Sequence, residues 1–207
     1  MIIFLLALPA IALLSAPAGA VTLADVERAL AATTTMTADF SQTAATGQVA
    51  RGTMVLKRPG RIRFDYAGKT PYLVVSDGRT LSFVDYQVSQ VSQWPVRSTP
   101  LGVLLEPKAD LARVARVLPE AQSPLPGQVA VMAEDPKKPD LGRILFFLLP
   151  DRSAPGGLLL TGWRVTDAQN KMTTVQLSNI RTNIAVSNSR FAFRDPRQKA
   201  RPPGRGG

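Results

Sequence analysis

The chain has 207 residues, 45% of them hydrophobic, which is enough to bury one sizeable core. It contains no Cys and no His, excluding disulfides, thiolate chemistry, the usual zinc ligands and every His-dependent triad. A formal charge of +10, from 25 basic and 15 acidic residues, points to an anionic partner: nucleic acid, anionic head groups or an acidic protein.

The N-terminus chooses among these. Ile2 to Leu14 is an apolar run interrupted by Pro9, and small residues follow it from Ser15 to Ala20. Ala18-Gly19-Ala20 has the small-x-small form of a signal-peptidase site, so residues 1–20 are expected to be a cleaved signal peptide. The competing reading is a retained anchor, since Ile2 to Ala20 is nearly long enough to span a bilayer. Export would set nucleic acid aside. Without Cys, the mature chain cannot itself be lipidated after export.

Thr22 to Ala32 reads as an amphipathic helix, with Thr22 as N-cap, Asp25 completing a capping box, and Leu23, Val26 and Leu30 along one side. Met36 to Thr43 alternates as a strand. Gly52 to Tyr66, GTMVLKRPGRIRFDY, reads as a hairpin. Its even positions are Met54, Leu56, Arg58, Ile62, Phe64 and Tyr66, all apolar except Arg58. Side chains alternate between faces, so both apolar faces coincide only if the loop has odd length. Pro59-Gly60-Arg61 is the expected loop, with Arg58 across from Ile62. A guanidinium at the rim of an apolar surface needs acceptors, so some other element must come down onto Arg58.

Tyr72 to Ser76 and Thr80 to Asp85 form a second hairpin about Asp77-Gly78, placing Val74 opposite Leu81 and Tyr72 opposite Phe83. Val88 to Trp94 is a further strand. Thr99 as N-cap and Pro100 at the first helical position start a short helix that Glu106-Pro107 ends. Gly102 inside it costs about 1 kcal/mol relative to Ala, so the helix depends on packing. Strands are then expected over Ala112 to Leu118, Gln128 to Ala133, Arg143 to Leu149, Leu158 to Asp167 and Met172 to Asn179. Arg181 to Arg190 is a connector before Phe191-Ala192-Phe193. One domain over residues 21–193 is expected. Residues 194–207, with five basic residues and one acid, read as a disordered tail. The pattern is an antiparallel meander with two short helices over a wide apolar sheet face. Periodicity alone leaves open whether the enclosed space holds a ligand or a plain core.

Several stretches in this order resemble the periplasmic outer-membrane lipoprotein carrier family, LolA. They are Ala38-Asp39-Phe40-Ser41-Gln42, Leu56-Lys57-Arg58-Pro59 with Arg61-Ile62-Arg63-Phe64, Ser76-Asp77-Gly78-Arg79-Thr80-Leu81, Thr99-Pro100-Leu101, and Phe191-Ala192-Phe193. The resemblance runs from about Thr22 to Asp195. It implies a mainly β (α+β) fold: an incomplete antiparallel barrel of about eleven strands, with a lid of short helices over a hydrophobic cavity. It also implies a periplasmic chaperone that takes acylated lipoproteins from an inner-membrane ABC transporter complex (LolCDE type). Delivery is to an outer-membrane acceptor lipoprotein (LolB type).

By the same resemblance Arg58 is the lid latch. The cavity is expected to use Met54, Leu56, Ile62, Phe64, Tyr66, Tyr72, Val74, Leu81 and Phe83. The lid is expected to use Leu23, Val26, Leu30, Leu101, Leu104 and Leu105. Arg61, Arg63 and Lys69 are candidates for a partner surface, and the protein is expected to act as a monomer without cofactor or metal. Ile62 stands where the family often has an aromatic, and Gly102 lightens the lid. The alternative is a related exported half-barrel that binds another lipid or senses envelope stress. A hydrolase would have to draw on Asp39, Asp65, Asp85 or the Glu134-Asp135-Asp140 group, all on outer faces or turns where solvated carboxylates are the norm.

Overall fold

The computed structural model describes residues 20–106 and 111–197. Residues 1–19 of the expected signal peptide, the Pro107 helix stop and residues 198–207 of the basic tail lie outside the described residues. Eleven strands follow the first helix, α1 (Leu23–Ala32): β1 (Thr35–Thr43), β2 (Val49–Lys57), β3 (Arg61–Tyr66), β4 (Tyr72–Asp77), β5 (Thr80–Asp85), β6 (Gln90–Pro95), β7 (Ala115–Val117), β8 (Val129–Glu134), β9 (Arg143–Pro150), β10 (Leu158–Thr166) and β11 (Met172–Thr182). Two single-turn helices, α2 (Gly102–Leu105) and α3 (Leu111–Val114), sit between β6 and β7.

All eleven strands belong to one antiparallel sheet in the order β6-β5-β4-β3-β2-β1-β11-β10-β9-β8-β7. The β1–β11 pairing joins the two halves, and β6 and β7 are left as separate edges. Curling is required by one contact. Phe64 on β3 and Trp163 on β10 lie four strand spacings apart, about 19 Å in a flat sheet, yet their ring centroids are 6.1 Å apart. The result is an unclosed barrel.

Its concave face is apolar from both halves. Met54, Leu56, Ile62 and Phe64 meet Ile144, Phe146, Leu148 and Trp163 in a single buried cluster. The helices complete it with Val26, Leu30, Leu104, Leu105 and Leu111. The convex face carries two smaller cores. Phe191, with Val186 and Phe193 beside it, covers Val55, Leu73, Val75 and Val84. Leu118 and Leu125 cover Ala130, Leu145 and Phe147.

Four local features differ from the sequence expectations. The β2–β3 loop has odd length, but it is Arg58-Pro59-Gly60, so Leu56 rather than Arg58 opposes Ile62. The Arg58 amide continues the β1–β2 ladder by one step, donating to the Thr34 carbonyl at 2.9 Å, while its side chain leaves from the turn itself. The β4–β5 turn centres on Gly78-Arg79, because Asp77 Oδ1 accepts the Arg79 and Thr80 amides at 2.8 and 2.9 Å. Val74 therefore opposes Phe83 and Ser76 opposes Leu81, a shift of two residues that leaves every side chain on its expected face. Residues Leu111–Val114, expected as strand from Ala112, instead form α3, which buries Leu111 in the concave cluster.

The fourth difference is α2, which begins at Gly102 rather than after Thr99. Thr99 is extended, and its hydroxyl donates to the Val96 carbonyl at 2.8 Å, closing the 3₁₀ turn Val96–Ser98 instead of capping a helix. That turn passes directly under α2. A Cβ at position 102 would stand 2.7 Å from the Val96 carbonyl oxygen and 3.2 Å from Arg97 Cα. At the other helix, Gly156 (φ 70°) brings the β9–β10 loop to where a Cβ would lie 2.6 Å from Ala29 Cα, so that loop supports α1.

Gly102→Ala is expected to destabilise the protein by about 1–3 kcal/mol, against the gain of about 1 kcal/mol that helix propensity alone gives Ala. Urea unfolding measures the difference. A more stable Gly102→Ala protein would mean that α2 is not seated on the Val96–Ser98 turn.

Candidate functional site: a latched lid over an apolar face

Arg58 projects from the β2–β3 turn into the junction of two helices. Its Nε and Nη2 donate to the Leu104 carbonyl of α2 at 3.2 and 2.8 Å, and its Nη1 donates to the Thr33 carbonyl at the C-cap of α1. The last carbonyls of a helix have no partner within it, so one guanidinium satisfies an orphan acceptor on each lid helix. The backbone of the same turn adds to the hold, because Gly60 N–H donates to the Leu105 carbonyl at 3.0 Å. Burial pushes the Arg58 pKa down to about 10, which leaves the side chain charged at neutral pH. No carboxylate approaches it among the described ion pairs.

α1 is fixed at its other end by a complete capping box. Thr22 Oγ1 accepts the Asp25 amide, and Asp25 Oδ2 accepts from the Thr22 amide at 2.9 Å and hydroxyl at 2.6 Å. Asn183 secures the C-terminal side: its Nδ2 donates to the Ala32 carbonyl and its Oδ1 accepts the Thr34 amide.

Beneath the lid the concave residues fall into two groups. Met54, Leu56, Ile62, Phe64 and Leu81 are buried and packed with Val26, Leu30, Leu104 and Leu105, and Tyr66, Val74, Leu23 and Leu101 lie against that cluster. The void left beside Arg58, lined by Leu30, Met36, Leu56, Leu148 and Leu160, measures about 10 Å³. It has room for one water and none for an acyl chain. Tyr72 and Phe83 lie apart from the packed cluster. Their rings are 5.5 Å apart on the uncovered end of the same face, where Tyr72 is 39% exposed. A cleft of about 580 Å³ opens beside α2, between Pro100 and Val103 on one side and Val114 and Ile144 on the other.

Sequence patterning missed much of this interior. Trp163, 2% exposed and in edge contact with Phe64, belongs to it, as do Phe146, Leu148 and Leu160. Phe40 packs edge-on against both Phe64 and Tyr66 at 5.2 Å, and the Met36-Ala38-Phe40 alternation carried that signal. Tyr66 donates its hydroxyl to Gln42 Oε1 at 2.9 Å, and burial raises its pKa.

The three basic residues expected at a partner surface have separate fates. Arg63 is engaged inside the chain, paired with Asp65 and donating from Nη1 to the Ala192 carbonyl at 3.0 Å. With Lys57, whose Nζ donates to the Val186 carbonyl at 2.7 Å, it fastens the C-terminal segment to the convex face. Arg61 is half-buried next to the β4–β5 turn, and Lys69 is exposed in the β3–β4 loop. No group of three or more Asp or Glu able to hold a metal occurs among the described residues. Asp39 accepts from Asn179, and Asp85 accepts the amides of its own turn.

The class this defines is an open antiparallel barrel whose apolar concave face is covered by short helices held through their backbone carbonyls. Residues 31–194 match the family model for outer membrane lipoprotein carrier protein LolA. An outer-membrane lipoprotein carrier protein of Chromobacterium violaceum is 30% identical over 190 residues, covering 89% of this chain and 88% of that one. Another, from Albidiferax ferrireducens, is 26% identical over 191 residues, covering 86% and 89%. Among solved structures, a LolA superfamily protein of Nitrosomonas europaea aligns with a TM-score of 0.45 at 12% identity, covering 84% of this chain and 99% of that one. The chain belongs to the LolA family.

The lid's dependence on pH follows from its cap. Hydrogen bonds from the Thr22 side chain, then its backbone, hold the Asp25 carboxyl below its ordinary value of 3.8. A depressed carboxylate stabilises the fold in full above that value and loses its contribution as pH falls through the lower folded-state value. Hydrogen exchange of α1 amides, corrected for intrinsic rates, is therefore expected to be flat between pH 5 and 8 and to rise only in stronger acid. A rise near pH 6 would contradict the cap as the governing group.

Proposed function

We propose that this protein is a periplasmic chaperone that carries the acyl chains of lipoproteins from the inner to the outer membrane. The observation behind this reading is that an apolar concave face is shut by apolar helices whose connection to the barrel wall is polar. Each methylene buried from water contributes roughly 0.8 kcal/mol, so releasing two or three acyl chains into water would cost tens of kcal/mol. Cargo must pass directly from one binding face to the next. It is received from an inner-membrane ABC transporter complex of the LolCDE type and surrendered to an outer-membrane acceptor of the LolB type. The carrier works as a monomer.

In the closed form the leucines of the lid stand where acyl chains would go. Loading exchanges one set of apolar contacts for another, a nearly balanced trade. The surplus that recloses the emptied carrier comes from Arg58, whose hydrogen bonds to the Thr33 and Leu104 carbonyls are worth about 1.5–3 kcal/mol each. Tyr72 and Phe83 on the uncovered end make the first apolar contact with an arriving chain, and Val74, Met54, Leu56, Ile62 and Phe64 take over once the lid lifts.

Two experiments test this. Arg58→Leu is expected to load lipoprotein from inner membranes but pass it on at least tenfold more slowly, and Arg58→Lys to behave similarly, because an ammonium cannot span two carbonyls as the planar fork does. Normal delivery by Arg58→Leu in a two-step transfer assay would remove the latch. For the cavity, Phe64→Glu places a carboxylate in the packed core and threatens the fold itself. Phe83→Glu, at a half-buried site, keeps the fold and is expected to weaken binding of an apolar fluorescent probe by at least tenfold. Unchanged probe affinity in both variants, folded by circular dichroism, would mean that this face is not the binding face.

A further inference from the structure

The two edges of the sheet are built differently. β7 is three residues long and carries Arg116, so it is both short and charged. Natural sheets blunt their edges by such means against pairing with other chains. β6 is six residues, Gln-Val-Ser-Gln-Trp-Pro, with no charge and with its one proline at the last position. It pairs only with β5, and no backbone hydrogen bond reaches Gln90–Pro95 from elsewhere among the described residues. Half of its N–H and C=O groups therefore face the seam of the barrel without a protein partner. Trp94 stands beside this edge, 46% exposed, opposite Leu81 on the concave side. Arg97, whose side chain is 82% exposed, lies two residues beyond the strand in the Val96–Ser98 turn. It meets Glu106 only at 3.5 Å.

We propose that β6 is a docking edge that accepts one extended segment of a partner protein as a twelfth strand. The backbone ladder selects an extended chain, since only a strand matches the spacing of the free groups. Trp94, next to last on the strand, selects an apolar side chain near one end of that segment, as exposed aromatics do at contacts. The +10 chain, with Arg97 in the turn just beyond the strand, selects an acidic flank. A segment of about six residues, roughly 20 Å long, fills the edge.

The test uses the whole mature protein and a panel of synthetic eight-residue peptides of strand-forming sequence, each with one apolar residue near one end and Asp or Glu beyond it at that end. Trp94 reports docking, because Trp163 is already buried and contributes a constant signal. At least one acidic peptide is expected to shift the exposed tryptophan emission to the blue and to slow exchange of β6 amides at least tenfold. Replacing its acids by Lys, or N-methylating alternate peptide bonds, is expected to weaken binding at least tenfold. Gln93→Lys and Gln93→Pro, the latter removing an N–H that faces away from β5, should do the same while leaving Phe83-side probe binding intact, which separates this edge from the cargo face. The proposal is overturned if no acidic peptide acts at millimolar concentration, or if the N-methylated or Lys peptides bind equally. It is also overturned if sedimentation shows a second copy of this chain pairing through β6.

Discussion

One guanidinium ties the two helices over the concave face to each other and to the barrel wall. Arg58 is the only described contact in which a single side chain binds the backbone of both lid helices, and it does so through carbonyls alone. Carbonyl acceptors make the contact strong at neutral pH and indifferent to the titration of any partner. A carboxylate in their place would add Coulomb energy and also add a second buried charge to be stranded on opening. The family to which the chain belongs gives this arrangement its setting, and the interior gives it a reason. Apolar packing under the lid is non-directional, and so cannot by itself define one closed position.

Much of the first half was legible because its strands are one-sided. Within β2 and β3 from Met54 to Tyr66 the even positions are apolar and the odd ones mostly polar, so face and hairpin could be read directly. Register was harder. Asp77 moved the β4–β5 turn by one residue through two side-chain hydrogen bonds, and the β2–β3 loop closed on Arg58-Pro59-Gly60, one residue earlier than expected. Turn chemistry at that resolution depends on which amides find acceptors, which periodicity does not encode.

The second half resisted for the opposite reason. β9 runs Ile144-Leu145-Phe146-Phe147-Leu148, apolar on both faces, because the Leu118–Leu125 segment covers its outside while the lid core covers its inside. A continuous apolar run carries no alternation, so Phe146 and Leu148 could not be assigned inward. Arg63 likewise looked like a solvated outer residue. Its partners are backbone carbonyls 127 and 129 residues away, a contact that only the folded chain creates. α3 was masked by brevity, since one helical turn and a short strand have the same apolar spacing over four residues.

The wall of the barrel is a single strand thick, and that has a consequence at the β2–β3 hairpin. Lys57 reaches outward to the Val186 carbonyl, and Arg58, the next residue, reaches inward to Thr33 and Leu104. Inside and outside are thus separated by one peptide unit. The C-terminal segment outside and the two helices inside are therefore hung from neighbouring residues of one turn, with no other layer between them.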